Sequence, residues 1–289
     1  GMEAYLEIVR KVLKEGVRKE NRTGIDTLTI FGEKFEHDLS NGFPLLTTKK
    51  INPTSVLTEL EFFIKGLTDK RWLQERNNPI WNEWCNPEKV PYGHGPETKC
   101  QMIEEPDLGP IYGFQWRHFG AEYKGLGVDY TGLGVDQLAQ LVNTIKTNPN
   151  DRRMIVTAWN PIQLHQMALP PCHYSFQIDI IDERLHLTWN QRSVDVMLGL
   201  PFNIASYAAL LHLLAKETGY KEGKLVGNLS DTQIYINQRE GAEQQLNRKP
   251  YPFPSIETEN FKSIFDWKYT DTKIINYQHH SFIKFPIAV

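Results

Sequence analysis

A thiol directly behind two prolines marks the first place where this chain could do chemistry: Leu169-Pro170-Pro171-Cys172-His173. Proline fixes φ and removes a backbone donor, so the approach to Cys172 is stiff and its sulfur sits at one place just ahead of a strand. Fixed placement is what a nucleophile needs. A buried structural cysteine is the competing reading, because free cysteine is among the most buried residue types. Further along, Gln191-Arg192-Ser193-Val194-Asp195 runs into Leu198-Gly199-Leu200-Pro201-Phe202-Asn203-Ile204-Ala205-Ser206-Tyr207. Polar residues that interrupt so apolar a stretch must find partners or a ligand. Arg192 and Ser193 suit a phosphate, whose oxygens match the guanidinium fork. Asn203 offers a donor and an acceptor to the edge of a heterocycle. An arginine near Cys172 also favours the thiolate.

The elements that must position these residues follow from hydrophobic spacing. Met2 to Glu20 carries apolar residues at near-helical intervals and ends in a polar turn at Asn21 to Gly24. Thr27 to Phe35 alternates as a strand, and Thr54 to Lys65 has helical spacing stopped by Gly66. Gln137 to Lys146 reads as a helix capped by Asp136, the second aspartate of a short tandem echo, Gly125-Leu126-Gly127-Val128-Asp129 and Gly132-Leu133-Gly134-Val135-Asp136. Met154 to Trp159, Ser175 to Ile181 and Leu185 to Trp189 read as strands, and Ile204 to Thr218 as a buried helix. The segment from Cys85 to Pro110, rich in proline, glycine and charge, has no period and reads as a surface insert. The order lacks a regular βαβ rhythm and a glycine-rich phosphate loop, which favours an α/β or α+β sheet of irregular order over a Rossmann unit.

Composition limits the partners. The chain has 289 residues, 40% of them hydrophobic, enough for a real core. A formal net charge of -3 gives no general attraction to nucleic acid, so an anion site must be built locally from a few arginines. No window approaches the run of about 18 apolar residues that spans a bilayer, and charged residues stand where a signal peptide is apolar, so a cytoplasmic location is expected. Three cysteines without zinc-like spacing predict no metal site and at least one free thiol. Gly1 ahead of Met2 reads as an expression remnant.

From Leu169 through Tyr207 the sequence resembles the signature of thymidylate synthases. The resemblance extends through Arg22-Thr23-Gly24, Phe43-Pro44-Leu45-Leu46-Thr47-Thr48-Lys49, Trp81 and Trp84, Gly109-Pro110-Ile111-Tyr112-Gly113, Asp151-Arg152-Arg153, Asp231, Tyr235 and Pro286-Ile287-Ala288-Val289. It implies a three-layer α/β (α+β) fold, a large mixed sheet flanked by helices, as a single catalytic domain over 2–289 that pairs sheet to sheet as a homodimer. It implies one-carbon transfer to carbon 5 of a uracil nucleotide, most simply methylation of dUMP to dTMP with 5,10-methylenetetrahydrofolate as cosubstrate. Cys172 would attack carbon 6, Glu59 would manage protons and water, Tyr112 would stand near the departing carbon 5 proton, and Arg192 and Asp195 complete the implied catalytic set. Arg22, Arg192, Ser193 and, across the dimer, Arg152 and Arg153 would hold the phosphate. Asn203 would read the uracil edge, with His173, Gln191, Gln233 and Tyr235 as further nucleotide contacts. Asn52, Trp81, Trp84, Asp195, Leu198, Gly199, Phe202 and Val289 would line the folate pocket.

Outside the resemblance, Glu59 reads as a solvated helix-face glutamate, Asp151-Arg152-Arg153 as a helix-end charge cluster, and the two tryptophans as core. The chain departs from the family at Gln233, where histidine is usual and where an amide cannot titrate. It also departs at Asn52, Asn82 and Asn190. Polar replacements near the folate motivate a second reading, a hydroxymethylase in which water captures the methylene. A non-catalytic relative that binds nucleotide, folate or RNA is a third. Against these stand the retained Trp81, Tyr112 and Val289, which would exclude water, the intact catalytic set, and the lack of a basic stripe.

Overall fold

Tyr5, Leu6, Ile8, Val9 and Val12 bury one face of the first helix, α1 (Met2–Glu15), in a computed structural model that describes residues 2–286. Val289 lies outside the described residues. The helix ends before the expected Glu20. Gly16 closes it by donating to the Val12 carbonyl at 2.9 Å, and a Cβ on Gly16 would collide with that oxygen. The chain then runs as a short edge strand, β1 (Val17–Lys19), antiparallel to β2 (Thr27–Asp38).

Helix α2 (Pro53–Ile64) starts with proline at its first turn and Asn52 as its cap, whose side-chain oxygen accepts from the Thr54 and Ser55 amides. Beyond it come α3 (Arg71–Gln74), α4 (Pro96–Glu104), α5 (Tyr112–His118) and α6 (Gln137–Thr147). Asp136 caps α6 as its sequence implies, accepting from the Ala139 amide at 3.0 Å. The segment 85–110 is more ordered than its composition implied. It contains α4, and Cys85, Asn86, Met102, Asp107 and Leu108 are buried. Strands β3 (Ile155–Thr157), β4 (His173–Ile181) and β5 (Arg184–Asp195) form a meander, turned at Asp182 and Glu183, both with positive φ as a tight hairpin requires. Helix α7 (Gly199–Thr218) leads into β6 (Lys221–Tyr235), followed by α8 (Arg239–Leu246) and a small hairpin, β7 (Ser255–Thr258) with β8 (Thr272–Ile275).

The main sheet has the order β1-β2-β6-β5-β4-β3 and is mixed, with β5 and β6 parallel and the other pairs antiparallel. This is the large mixed sheet flanked by helices that the sequence implied. A parallel pair needs a crossover, and α7 supplies it. Buried on almost every side, α7 packs on β5 and β6 and also contacts α2 and α6. Along β5, Leu185, Leu187, Trp189 and Gln191 point into this core. Trp189 stacks on Tyr207 of α7, ring centroids 5.3 Å apart.

Strand β6 was not legible as a strand because Gly223, Gly227, Asn228, Ser230 and Asp231 weaken its β pattern. Gly227 is required by packing, since a Cβ there would lie 2.5 Å from the Trp189 indole. Gly227→Ala is therefore expected to lower stability by about 1–3 kcal/mol in denaturant titrations, the usual cost of overpacking. On the opposite sheet face a polar ladder crosses three strands: Asn190 Nδ2 donates to Ser175 Oγ at 3.0 Å, and Asn228 Nδ2 to Asn190 Oδ1 at 3.1 Å. Among the described residues, no helix is long and apolar enough to cross a membrane, and no group of three or more His, Cys, Asp or Glu could hold a metal ion.

Candidate active site

Cys172 occupies the bend that feeds β4, half buried, with its backbone N–H donating to Tyr112 Oη at 2.9 Å. The strand beyond it is stitched to β5, where the Arg192 amide donates to the Cys172 carbonyl at 2.9 Å. The Arg192 guanidinium donates to the Pro170 and Pro171 carbonyls, both at 2.8 Å, and lies 4.0 Å from Cys172 Sγ. The two prolines thus present carbonyls that dock the arginine against the thiol. Burial pushes the Cys172 thiol up, while the charges of Arg192 and Arg22 pull it back toward the thiolate. Arg192 also faces the Trp159 ring and borders an open cleft of about 520 Å³ lined by Ile155, Thr157, Tyr174 and Ser175.

Behind the thiol lies a stack of rings. Tyr112 from α5 sits between Phe63 and His173, with centroids 4.9 and 4.4 Å away. His173 Nδ1 and Tyr207 Oη are 2.6 Å apart. Burial lowers the His173 pKa to about 3, so this imidazole is neutral, and it pushes Tyr112 well above its ordinary value. His173 therefore packs and orients and carries no charge toward a phosphate.

Glu59 is not the solvated helix-face residue that its type favours. It is 7% exposed on α2, and Trp81 Nε1 donates to its Oε2 at 2.9 Å. Burial raises its pKa to about 7, against a smaller lowering by that hydrogen bond. Trp81 packs edge-on to Tyr112 at 6.1 Å, which joins the glutamate to the ring stack beside Cys172.

On the other side of the thiol, Gln191 organises the polar edge. Its Oε1 accepts from Trp189 Nε1 at 3.0 Å, so its Nε2 must donate, reaching Ser193 O and Asn203 Oδ1, both at 3.1 Å. Asn203 Oδ1 is thereby engaged, and among the described residues its Nδ2 makes no hydrogen bond. Gln233, paired across from Asp195 on β6, donates to Ser193 Oγ at 3.2 Å. Asp195 accepts from the Met197 and Leu198 amides and is raised by burial. Gly199 opens α7 between Asp195 and Asn203, and a Cβ there would meet both at 3.7 Å, so glycine leaves a cradle of about one methyl between the two.

The structure thus gathers Cys172, Tyr112, Glu59, Trp81, His173, Arg192, Gln191, Ser193, Asn203, Gln233, Asp195 and Gly199 through direct contacts. Arg22 is exposed, but its charge reaches Cys172 and Tyr235. Arg152 and Arg153 are exposed within this chain, Arg153 with 87% of its side chain open and bonded to Asp151. Trp84 stacks on Tyr92, and Asn52 is engaged as a helix cap. Two neighbours escaped the sequence reading. Lys49 donates to the Met197 carbonyl at 2.6 Å with its pKa lowered to about 8 by burial, and Tyr5 donates to the Val196 carbonyl at 2.8 Å. Both brace the turn after Asp195, and only their burial reveals it.

A proline-docked thiol beside an arginine thus shares one site on a mixed sheet with a buried glutamate and an amide-lined polar edge. The family model described as Thymidylate synthase matches residues 3–289, and the chain belongs to that family. It is 44% identical, over 99% of its length, to a bifunctional dihydrofolate reductase-thymidylate synthase of Paramecium tetraurelia, and spans 61% of that relative.

Proposed function

We propose that this chain methylates dUMP to dTMP, with 5,10-methylenetetrahydrofolate as the cosubstrate. The observation that carries the reading is the Cys172–Arg192 pair backed by a buried Glu59 that titrates near neutrality. Cys172 Sγ adds to carbon 6 of the uracil ring. The electron pair of the ring double bond then moves onto carbon 5 and the adjacent carbonyl, which makes carbon 5 nucleophilic. Glu59, held by Trp81 at Oε2, takes up and returns protons at the ring through water, and Tyr112 Oη lies near the carbon 5 proton that leaves. Asn203 and Gln191 read the uracil edge. Arg22, Arg192 and Ser193 hold the phosphate, and Gln233, Tyr235 and His173 complete the nucleotide wall.

When bound, the folate would supply the one-carbon unit and the hydride, and loss of the carbon 5 proton with hydride uptake at the transferred carbon restores the ring double bond and expels Cys172 Sγ from carbon 6. In this reading the folate lies over the start of α7, at Asp195, Leu198, Gly199 and Phe202, with Trp81 and Trp84 as further apolar walls, and a methyl at Gly199 would stand at contact distance from Asp195 and Asn203. Gly199→Ala, at a position whose backbone an alanine adopts freely, is expected to leave the melting temperature unchanged and raise KM for the folate several-fold.

A homodimer belongs to this reading, with Arg152 and Arg153 reaching the partner's phosphate site. Their exposure within a single chain supports it, as does the polar ladder of Ser175, Asn190 and Asn228 on the sheet face away from α7. A single catalytic domain over 2–289 also belongs to it. One continuous hydrophobic cluster, from Met2 to Phe285, supports that extent.

The test is incubation with dUMP and 5,10-methylenetetrahydrofolate, with the nucleotide identified by mass and dihydrofolate followed by absorbance. dTMP formed together with dihydrofolate is the expected result. A hydroxymethylated nucleotide with tetrahydrofolate regenerated would replace methylation by water capture, and no new nucleotide would remove the enzyme altogether.

A further inference from the structure

Lys70, just ahead of α3, is 1% exposed, and its ammonium donates to the backbone carbonyls of Asn82 at 3.0 Å, Trp84 at 2.7 Å and Met102 at 2.6 Å. An ammonium has three N–H donors, and here each one is used. It has no donor left for a ligand, so this lysine is not a binding group. Two of its acceptors, Asn82 and Trp84, follow closely after Trp81 in sequence. The Trp81–Trp84 turn is closed by the Trp84 amide on the Trp81 carbonyl at 3.0 Å, and Gln74, one helical turn on from Lys70, donates Nε2 to Asn82 Oδ1 at 3.0 Å. The third acceptor belongs to α4, inside the segment that sequence reading left without a role. A hydrogen bond from a charged donor is worth about twice a neutral one, and removing a buried donor strands its acceptors.

We propose that Lys70 is a positioning residue. It clamps the Trp81–Trp84 turn to α4, and through that clamp the segment 85–110 holds the Trp81 indole on Glu59. The proposal rests on the assignment of Glu59 as the proton-handling group. Cys85 and Glu105 are the ionisable neighbours that act on Lys70, and Tyr112 and Tyr207 face Glu59, both kept protonated by burial. None of the four can take over the clamp, since none donates to these three carbonyls. A lysine that served stability alone would lower the melting temperature without altering how Glu59 titrates.

The test follows the Glu59 carboxyl by carbon-13 NMR in chains labelled at glutamate, with the resonance assigned by its absence in E59Q. It is read in the wild type, K70M, W81F and the double variant. Loss of the Trp81 donor removes an interaction that favours the ionised carboxylate, so W81F raises the midpoint, by about one unit on the scale of such bonds. K70M is expected to raise it in the same direction by about half that or more, with the double variant no higher than W81F. Should K70M not fold, K70Q keeps two donors without the charge and is expected to shift the midpoint in the same sense. A Lys70 variant with a wild-type midpoint overturns the proposal, as does a shift that adds in full to that of W81F. The titration needs no turnover. Failure of dTMP formation would count against the proposed reaction and leave the clamp separately decided.

Discussion

Cys172→Ala is expected to yield a folded protein in which the proposed turnover of dUMP falls by about 10⁴-fold or more, the scale on which loss of a covalent nucleophile registers. The size follows from what remains. Arg192 keeps both of its hydrogen bonds, to the Pro170 and Pro171 carbonyls, and the Cys172 backbone still donates to Tyr112. The pocket therefore keeps its shape and its phosphate-facing charge, and dUMP affinity by calorimetry is expected to stay within a few-fold of wild type. In the proposed reaction carbon 5 of the ring is not activated without the sulfur, so binding is expected to be retained and chemistry lost. The half-buried thiol has few contacts to lose, so the melting temperature stays close to wild type. Residual turnover within tenfold of wild type would remove Cys172 from the reaction.

What could be read in the sequence was whatever local chemistry fixes. The paired prolines marked Cys172 as a candidate because they act through their own backbone, and the family resemblance gave it the role of nucleophile. Asp136 was legible as a cap, and the regular spacing of α2, α6 and α7 survived packing. Features decided by distant contacts were not legible. Strand β6 has a poor β composition yet lies between β2 and β5, and Gly227 is there to admit the Trp189 indole. Helix α1 gave up its last predicted turn to Gly16 and an edge strand. The site shows the same division. Arg192, Ser193 and Asn203 interrupt an apolar run and so declare themselves. The burial of Glu59, which makes the difference between a surface carboxylate and one poised near neutrality, is set by tertiary packing, and its hydrogen-bond partner Trp81 lies 22 residues away in sequence. Lys70 looks like any surface lysine until three carbonyls converge on it.

Glu59→Gln is expected to make the protein more stable in alkaline solution while its turnover falls by about 10²–10⁴-fold, the range for a lost general acid or base. The stability effect follows from linkage. The folded-state pKa of Glu59 is raised from 4.5 to about 7, chiefly by burial. Between those values the folded protein holds a proton that the unfolded chain has released, so stability declines as pH rises. Below the unfolded pKa both states are protonated and the carboxyl costs nothing. Above the folded pKa both are ionised, and the native state bears the full cost of a buried carboxylate, about 3 kcal/mol at roughly 1.4 kcal/mol per unit. Glutamine fills the same volume, offers an oxygen to Trp81 Nε1 and never ionises. Denaturant unfolding at a fixed protein concentration should therefore show wild type and E59Q close together at pH 5. At pH 8.5 the variant should be ahead by up to about 3 kcal/mol, with every other titrating group cancelling in the comparison. A constant gap between the two proteins across that range would mean that Glu59 titrates as an ordinary carboxylate and is not the poised group on which its proposed role depends.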